Sequence, residues 1–163
     1  MIQQIIVQLL LIIVAFFFQI VFVPQISLSG VSPDLLLILV VFATLLKGRD
    51  FGMVFGAIIG LIFDLATGSL LGSSMFAKVL SAFIIGYFYN ENKRELLIKS
   101  YRFALLVFLA GIINAFSYTL MTNFSISNGV LSLFVYAAIL PALYTAVISS
   151  LVSFFVPSRL LDE

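Results

Sequence analysis

The sequence predicts an all-α integral membrane protein of six transmembrane helices, and three observations carry that prediction. Hydrophobic residues make up 63% of the 163-residue chain and charged ones only 9%, at a mean hydropathy of +1.28. Such a composition cannot furnish the polar surface of a water-soluble domain. The apolar residues gather into continuous runs of helical length instead of alternating, which argues against the tilted strands of a β-barrel. The Lys and Arg residues, Lys78 apart, fall on one side of the map, in alternate loops. Six spans of about 20 residues take up roughly 120 positions. What remains suffices for loops and ends, so residues 1–163 read as one domain without repeat or linker.

The first run, residues 5–23, is interrupted only by Gln8 and Gln19 and stops at Pro24. A cleaved signal peptide is the alternative, but the run has neither a basic segment before it nor a small-x-small site after it. Residues 25–33 hold three serines, Gly30 and Pro33 and form a loop. The second span, 31–46, reaches a useful length only if Val31 to Pro33 join its first turn. Asp34, behind Pro33, caps its N-terminus. Lys47 to Asp50 make a tight polar turn into the third span, 51–67, about 25 Å of helix. Residues 68–74 link it to the fourth span, 75–89. The polar block 90–99 precedes the fifth, 100–122, and residues 123–128 precede the sixth, 129–156, where Pro141 predicts a kink. Lys47, Arg49, Lys93, Arg94, Lys99, Arg102 and Arg159 all fall on one side of this map, with no Lys or Arg in the opposite loops. Both termini are therefore expected in the cytoplasm, with the chain in the inner membrane.

The chain has no His, no Cys and no Trp. That removes the commonest general base, the thiol nucleophile and zinc sites built on either ligand. No catalytic, cofactor-binding or metal-binding residue is predicted, and an intramembrane aspartyl protease would need a second mid-membrane aspartate in its own motif. The net charge of +1 gives no reason to expect a nucleic-acid partner.

The third span carries Gly52, Gly56 and Gly60, then Asp64 and Gly68, at four-residue spacing along one face. The glycines serve either close packing inside the bundle or docking of a partner helix. A carboxylate at membrane depth costs a few kcal/mol unless paired or hydrated. Lys78 matches Asp64 in depth on the adjacent antiparallel helix, so an outer-leaflet ion pair is expected. The alternative is an interfacial Asp and a snorkelling Lys that never meet. Lys78, Ala82 and Gly86 share a face that offers small residues to the glycine stripe. Asn114, Ser117, Tyr118, Tyr136, Tyr144 and Ser149 either line a cavity or hold helices together.

Pro33-Asp34 followed by three leucines, Gly56, Gly60 and Asp64, with Gly68-Ser69 running to Gly72, resembles the MreD family of bacterial rod-shape-determining proteins. The resemblance covers the order of all six spans. It implies a non-enzymatic membrane scaffold of the cell-elongation complex, acting in cell shape and peptidoglycan synthesis. The implied partners are a single-span MreC-like protein and, through it, MreB filaments, RodA and its penicillin-binding transpeptidase. The family is also similar in fold to the substrate-binding subunits of energy-coupling-factor transporters, and this supplies the alternative function, a vitamin-binding subunit. Against it, the first run has only Ala15 among bulky residues where those subunits carry a small-x3-small stripe.

Overall fold

A computed structural model gives the architecture and describes residues 12–27, 31–122 and 138–155. Within them the chain is helical, with no strand. Helix α1, Ile12–Phe22, ends in a π-turn at Phe18–Phe22. Helix α2 is Leu35–Lys47, α3 is Arg49–Thr67, and α4 is Ser73–Ile85, prolonged by a 3₁₀ turn at Gly86–Phe88. A 3₁₀ turn at Glu91–Lys93 leads into the short α5, Arg94–Ile98. Helix α6 is Tyr101–Thr122 and α7 is Leu140–Phe155.

Helix α2 is the axis of the bundle and touches α3, α4, α5, α6 and α7. It is apolar all round, as a helix enclosed by others must be. Two i, i+4 series divide its surface. Leu36 and Val40 face a cluster with Ile59 of α3 and Ala82 of α4, against which Ala15 and Phe16 of α1 also pack. Leu37, Val41 and Leu45 face a second cluster built with Ile85, Ile98, Phe103 and Val107. The outward sides of the longer helices are apolar too: Val54, Ile58 and Leu65 on α3, Leu105 and Leu120 on α6, and Val147 and Leu151 on α7 are all exposed. Stripes of this extent do not suit water and suit acyl chains.

Two of the described helices, α3 and α6, are long and apolar enough to cross a bilayer unaided, and four shorter apolar helices accompany them. Helix α2 starts at Leu35, so Val31 to Pro33 do not contribute the extra turn expected of them. The turn between α2 and α3 shrinks to Gly48, and the block 90–99 contains α5 instead of being wholly irregular. Pro141 sits in the first turn of α7, just past a π-turn at 138–139. Residues 5–11 of the first expected span and 129–137 of the sixth lie outside the described residues.

Backbone proximity sets how the helices meet. Gly52, Gly56, Gly60 and Ala82 are all buried. A Cβ on Gly56 would stand 3.2 Å from the Lys78 carbonyl oxygen, and one on Gly60 would stand 2.5 Å from the Met75 Cα. Gly52 instead faces Thr44 of α2. The three glycines therefore pack α3 onto α2 and α4, and the exposed small-residue docking face considered for them is not formed. Gly86 is half-buried beneath the Arg49 side chain, and Gly111 of α6 meets Ala142 of α7.

Because the Gly60 neighbour is helix backbone, it cannot rotate out of the way. Gly60→Leu is expected to lower thermal stability in detergent by the equivalent of at least about 3 kcal/mol, the upper range for overpacking. Leu65→Ala, on the exposed face of the same helix, should change it by less than about 0.5 kcal/mol. Melting curves of the two purified variants check this contrast.

Candidate functional site

Two polar constellations lie at the same end of the bundle, where α1 and α3 finish and α2 and α4 begin. The first is built on Asp64, which is fully buried three residues before the end of α3. Gly68, at φ 66°, lets the chain leave α3 in a left-handed turn, and Gly72, at φ 92°, does the same at the start of α4. Gly72 is the N-cap of α4 and has no side chain with which to cap it. Asp64 supplies that function from the preceding helix. Its carboxylate accepts from the backbone N–H groups of Gly72 at 2.9 Å, Ser74 at 3.1 Å and Met75 at 3.4 Å. It also accepts from the Ser69 hydroxyl at 2.9 Å and the Ser73 hydroxyl at 3.5 Å. The first N–H groups of a helix lack internal partners and carry partial positive charge, so a carboxylate placed there is stabilised without a cation. The spacing Asp-x3-Gly-Ser-x2-Gly follows: two left-handed turns with a hydroxyl between them fold Ser69 and the α4 start back over Asp64.

The second constellation is centred on Asp34. Its Oδ1 accepts from the Leu37 N–H at 2.8 Å, capping α2 as the sequence predicts. Its Oδ2 accepts from Lys78 Nζ at 2.7 Å and from Asn114 Nδ2 at 3.4 Å. The Asp34 N–H donates to the Thr145 hydroxyl at 3.0 Å, and that hydroxyl donates to the Pro141 carbonyl at 2.7 Å. Gln19 braces the same corner, accepting from the Leu35 N–H at 2.7 Å and donating to the Pro33 carbonyl at 3.2 Å. One aspartate thus joins α2 to α4, α6 and α7, with α1 attached through Gln19. Lys78 is 2% exposed, and its ammonium also lies 5.6 Å from the centre of the Phe63 ring.

The ion pair expected between Asp64 and Lys78 is therefore not formed, and Lys78 pairs with Asp34. Depth alone had favoured Asp64. What decides is the ring of N–H donors at the α4 start, which satisfies Asp64 and frees Lys78 to reach across to α2. Of the residues considered as cavity lining, Asn114 joins the Asp34 node, while Ser117 and Ser149 bond to carbonyls within their own helices. Tyr144 donates to the Ile26 carbonyl at 3.3 Å, and Tyr136 lies outside the described residues. Gln19 and Thr145 take structural positions the sequence reading did not assign; a polar side chain inside an apolar run was the available signal for both.

Beside the Asp34 node, a partly open cavity of about 330 Å³ is lined by Gln19, Ser27, Ser32 and Thr67 on its polar side and by Ile20, Val23, Pro24 and Phe63. No charged side chain lines it. No group of three or more acidic residues suited to holding a metal occurs among the described residues.

An apolar helical bundle pinned at one end by internally satisfied charges defines a membrane-protein class. The chain matches the family described as rod shape-determining protein MreD over residues 1–160, and it belongs to that family. No curated protein and no solved structure matches it. Membership assigns it to rod-shape determination, in a family defined by cell shape and not by a reaction.

A double-mutant cycle separates the two constellations. Asp34→Asn should destabilise the protein by about 3–5 kcal/mol, since it strands the buried Lys78 ammonium, and Lys78→Met by less, since the Asp34 carboxylate it strands is partly exposed. The double variant should recover about 1–3 kcal/mol of the sum. The cycle of Asp64→Ala with Lys78→Met should show coupling below about 0.5 kcal/mol. Unfolding titrations in mixed micelles measure all of these.

Proposed function

We propose that this protein is a non-enzymatic scaffold of the cell-elongation complex, spanning the inner membrane six times as a single domain with both termini in the cytoplasm. Its role in cell shape and peptidoglycan synthesis is exerted through intramembrane contact with an MreC-like single-span partner, and through that partner with MreB, RodA and its penicillin-binding transpeptidase. One observation chiefly supports the reading: the charged side chains inside the bundle, Asp34, Asp64 and Lys78, bond to other parts of the same chain and brace its helices. That is the construction of a rigid body whose outer helical faces are its working surface. The Asp34 and Asp64 end faces the periplasm on this reading, because the six cations of residues 47–50 and 90–102 belong to the turns at the opposite end. With the glycine stripe buried, the partner helix meets large apolar side chains, and the contact depends on shape-matched packing.

A vitamin-binding subunit of an energy-coupling-factor type transporter is the second reading. The cavity next to Gln19 favours it, since about 330 Å³ is within the range of small-molecule sites. Purification in mild detergent distinguishes the two. The scaffold reading expects an envelope-synthesis protein with one span to co-purify; a vitamin-sized ligand and an ATP-driven module in its place would establish the transporter subunit.

Topology is tested independently. A reporter active only in the periplasm should be silent when fused after Glu163 and active when inserted between Leu70 and Leu71. The reverse pattern would invert the orientation.

A further inference from the structure

The end of the bundle away from Asp34 carries an arrangement that the scaffold reading does not use. Tyr87 and Phe88 close α4 at 68% and 48% exposure, Leu96 of α5 is 68% exposed, and Tyr101 at the start of α6 is 74% exposed. Around them, residues 47–50 and 90–102 contain six cations, Lys47, Arg49, Lys93, Arg94, Lys99 and Arg102, against three acids, Asp50, Glu91 and Glu95. We propose that this elbow between α4 and α6, with the adjoining start of α3, is a docking surface for the head groups of anionic phospholipids. The inference rests on the membrane-spanning reading above.

The elbow is anchored from within. Ile98 is fully buried and packs in the cluster that includes Leu45 and Phe103, and the Ser153 hydroxyl of α7 donates to its carbonyl. With Ile98 fixed inward, Leu96 is held outward among polar neighbours. An isolated leucine and three aromatic rings in that position suit neither bulk water nor the acyl region. They suit the boundary between them, where aromatic belts and in-plane amphipathic segments reside. Charge selects the lipid. Arg49 lies over the Phe83 and Tyr87 rings at 5.4 Å and 5.7 Å, so its guanidinium is held at the same level as the exposed tyrosine. Asp50 and Glu95 pair with Arg49 and Lys99 on the surface, the six cations still outnumber the three acids by three, and Arg102 is exposed. A surface with twice as many cations as acids, rimmed by aromatic rings, complements a phosphodiester layer with net negative charge.

The test uses the full chain in detergent, titrated with dioleoyl-phosphatidylglycerol or dioleoyl-phosphatidylcholine and followed by native mass spectrometry. Phosphatidylglycerol is expected to bind the more tightly. Arg102→Gln should weaken it about fivefold, the ratio corresponding to about 1 kcal/mol per cation at a charged surface, and leave phosphatidylcholine unchanged. Arg102 lies on the surface, so melting curves should show an intact fold. Equal affinity for the two lipids, or an Arg102→Gln variant that retains the full preference, would overturn the proposal. Displacement of bound phosphatidylglycerol by a soluble polyglutamate peptide at lower concentration would also overturn it, in favour of an acidic protein segment. A missing partner on purification refutes the scaffold, whereas equal lipid affinities refute this surface.

Discussion

A charge inside an apolar bundle has to find its counter-charge or its hydrogen bonds within the protein, and the arrangement of the helices around Asp34 and Asp64 follows from that requirement. The two aspartates meet it differently. Asp64 uses a helix N-terminus, where several N–H groups converge on one carboxylate. Asp34 uses a lysine from a helix distant in sequence, with an amide from another as a second donor. The first solution is local and fixes the α3–α4 hairpin. The second is long-range and fixes where α4, α6 and α7 stand around α2. Ionised groups near the low-dielectric interior interact strongly, and an unmatched one is correspondingly costly. Each contact therefore specifies geometry as well as adding stability.

Apolar packing alone would not specify that geometry, because in lipid an outward leucine is as well solvated as an inward one. The bundle adds steric specification along its length. Gly56 and Gly60 bring the α3 backbone to within van der Waals range of α4, and Gly111 does the same for α6 against α7. Ser81 adds a cross-helix link, donating to the Ala110 carbonyl at 3.2 Å as well as to Ala77 in its own helix. Short α2, 13 residues long, packs among the longer α3, α6 and α7 and need not match the bilayer by itself. Its N-cap, Asp34, stands level with Lys78 in the second turn of α4.

How far the sequence was legible depended on which coordinate it encodes. The inward face of α3 follows from its four-residue glycine spacing, and α2, α3, α4 and α6 overlap expected runs in order, whereas α5 falls in a block expected to be a loop. Membrane depth is also encoded, since counting from a span's end places Asp64 and Lys78 at one level. Rotation about each helix axis relative to distant helices is not encoded. Asp34 and Asp64 both lie within reach of the Lys78 level, so two ion pairs were compatible with depth, and adjacency in sequence favoured the one that does not occur. The motif glycines did contain the deciding information. Gly72 at a helix start with no capping side chain leaves N–H groups that something upstream must satisfy. Asp64 is the upstream acid within reach. Gln19 was harder to interpret, because a single amide in an apolar run looks the same whether it faces lipid, a cavity or the carbonyl of Pro33.

The separation of the charged groups into two ends has a mechanical consequence. At the Asp34 end every charge described is matched internally, so that end is rigid and electrostatically quiet, with loops too short to add a binding domain. At the opposite end Lys47, Arg49, Lys99 and Arg102 are exposed, and Arg49 and Lys99 pair with the exposed acids Asp50 and Glu95. A scaffold must hold its partner's helix at a constant angle and must also keep its own position relative to the bilayer plane. Internal pairing serves the first need, because it fixes the relative rotation of the helices that form the partner's contact face. Surface charge with aromatic rings serves the second, because attraction to head groups resists sinking, rising and tilting. A protein charged internally at both ends would be rigid but free to tilt; one charged externally at both ends would be anchored but without fixed helix rotation. On the scaffold and lipid-docking proposals above, this division of charge would serve both needs.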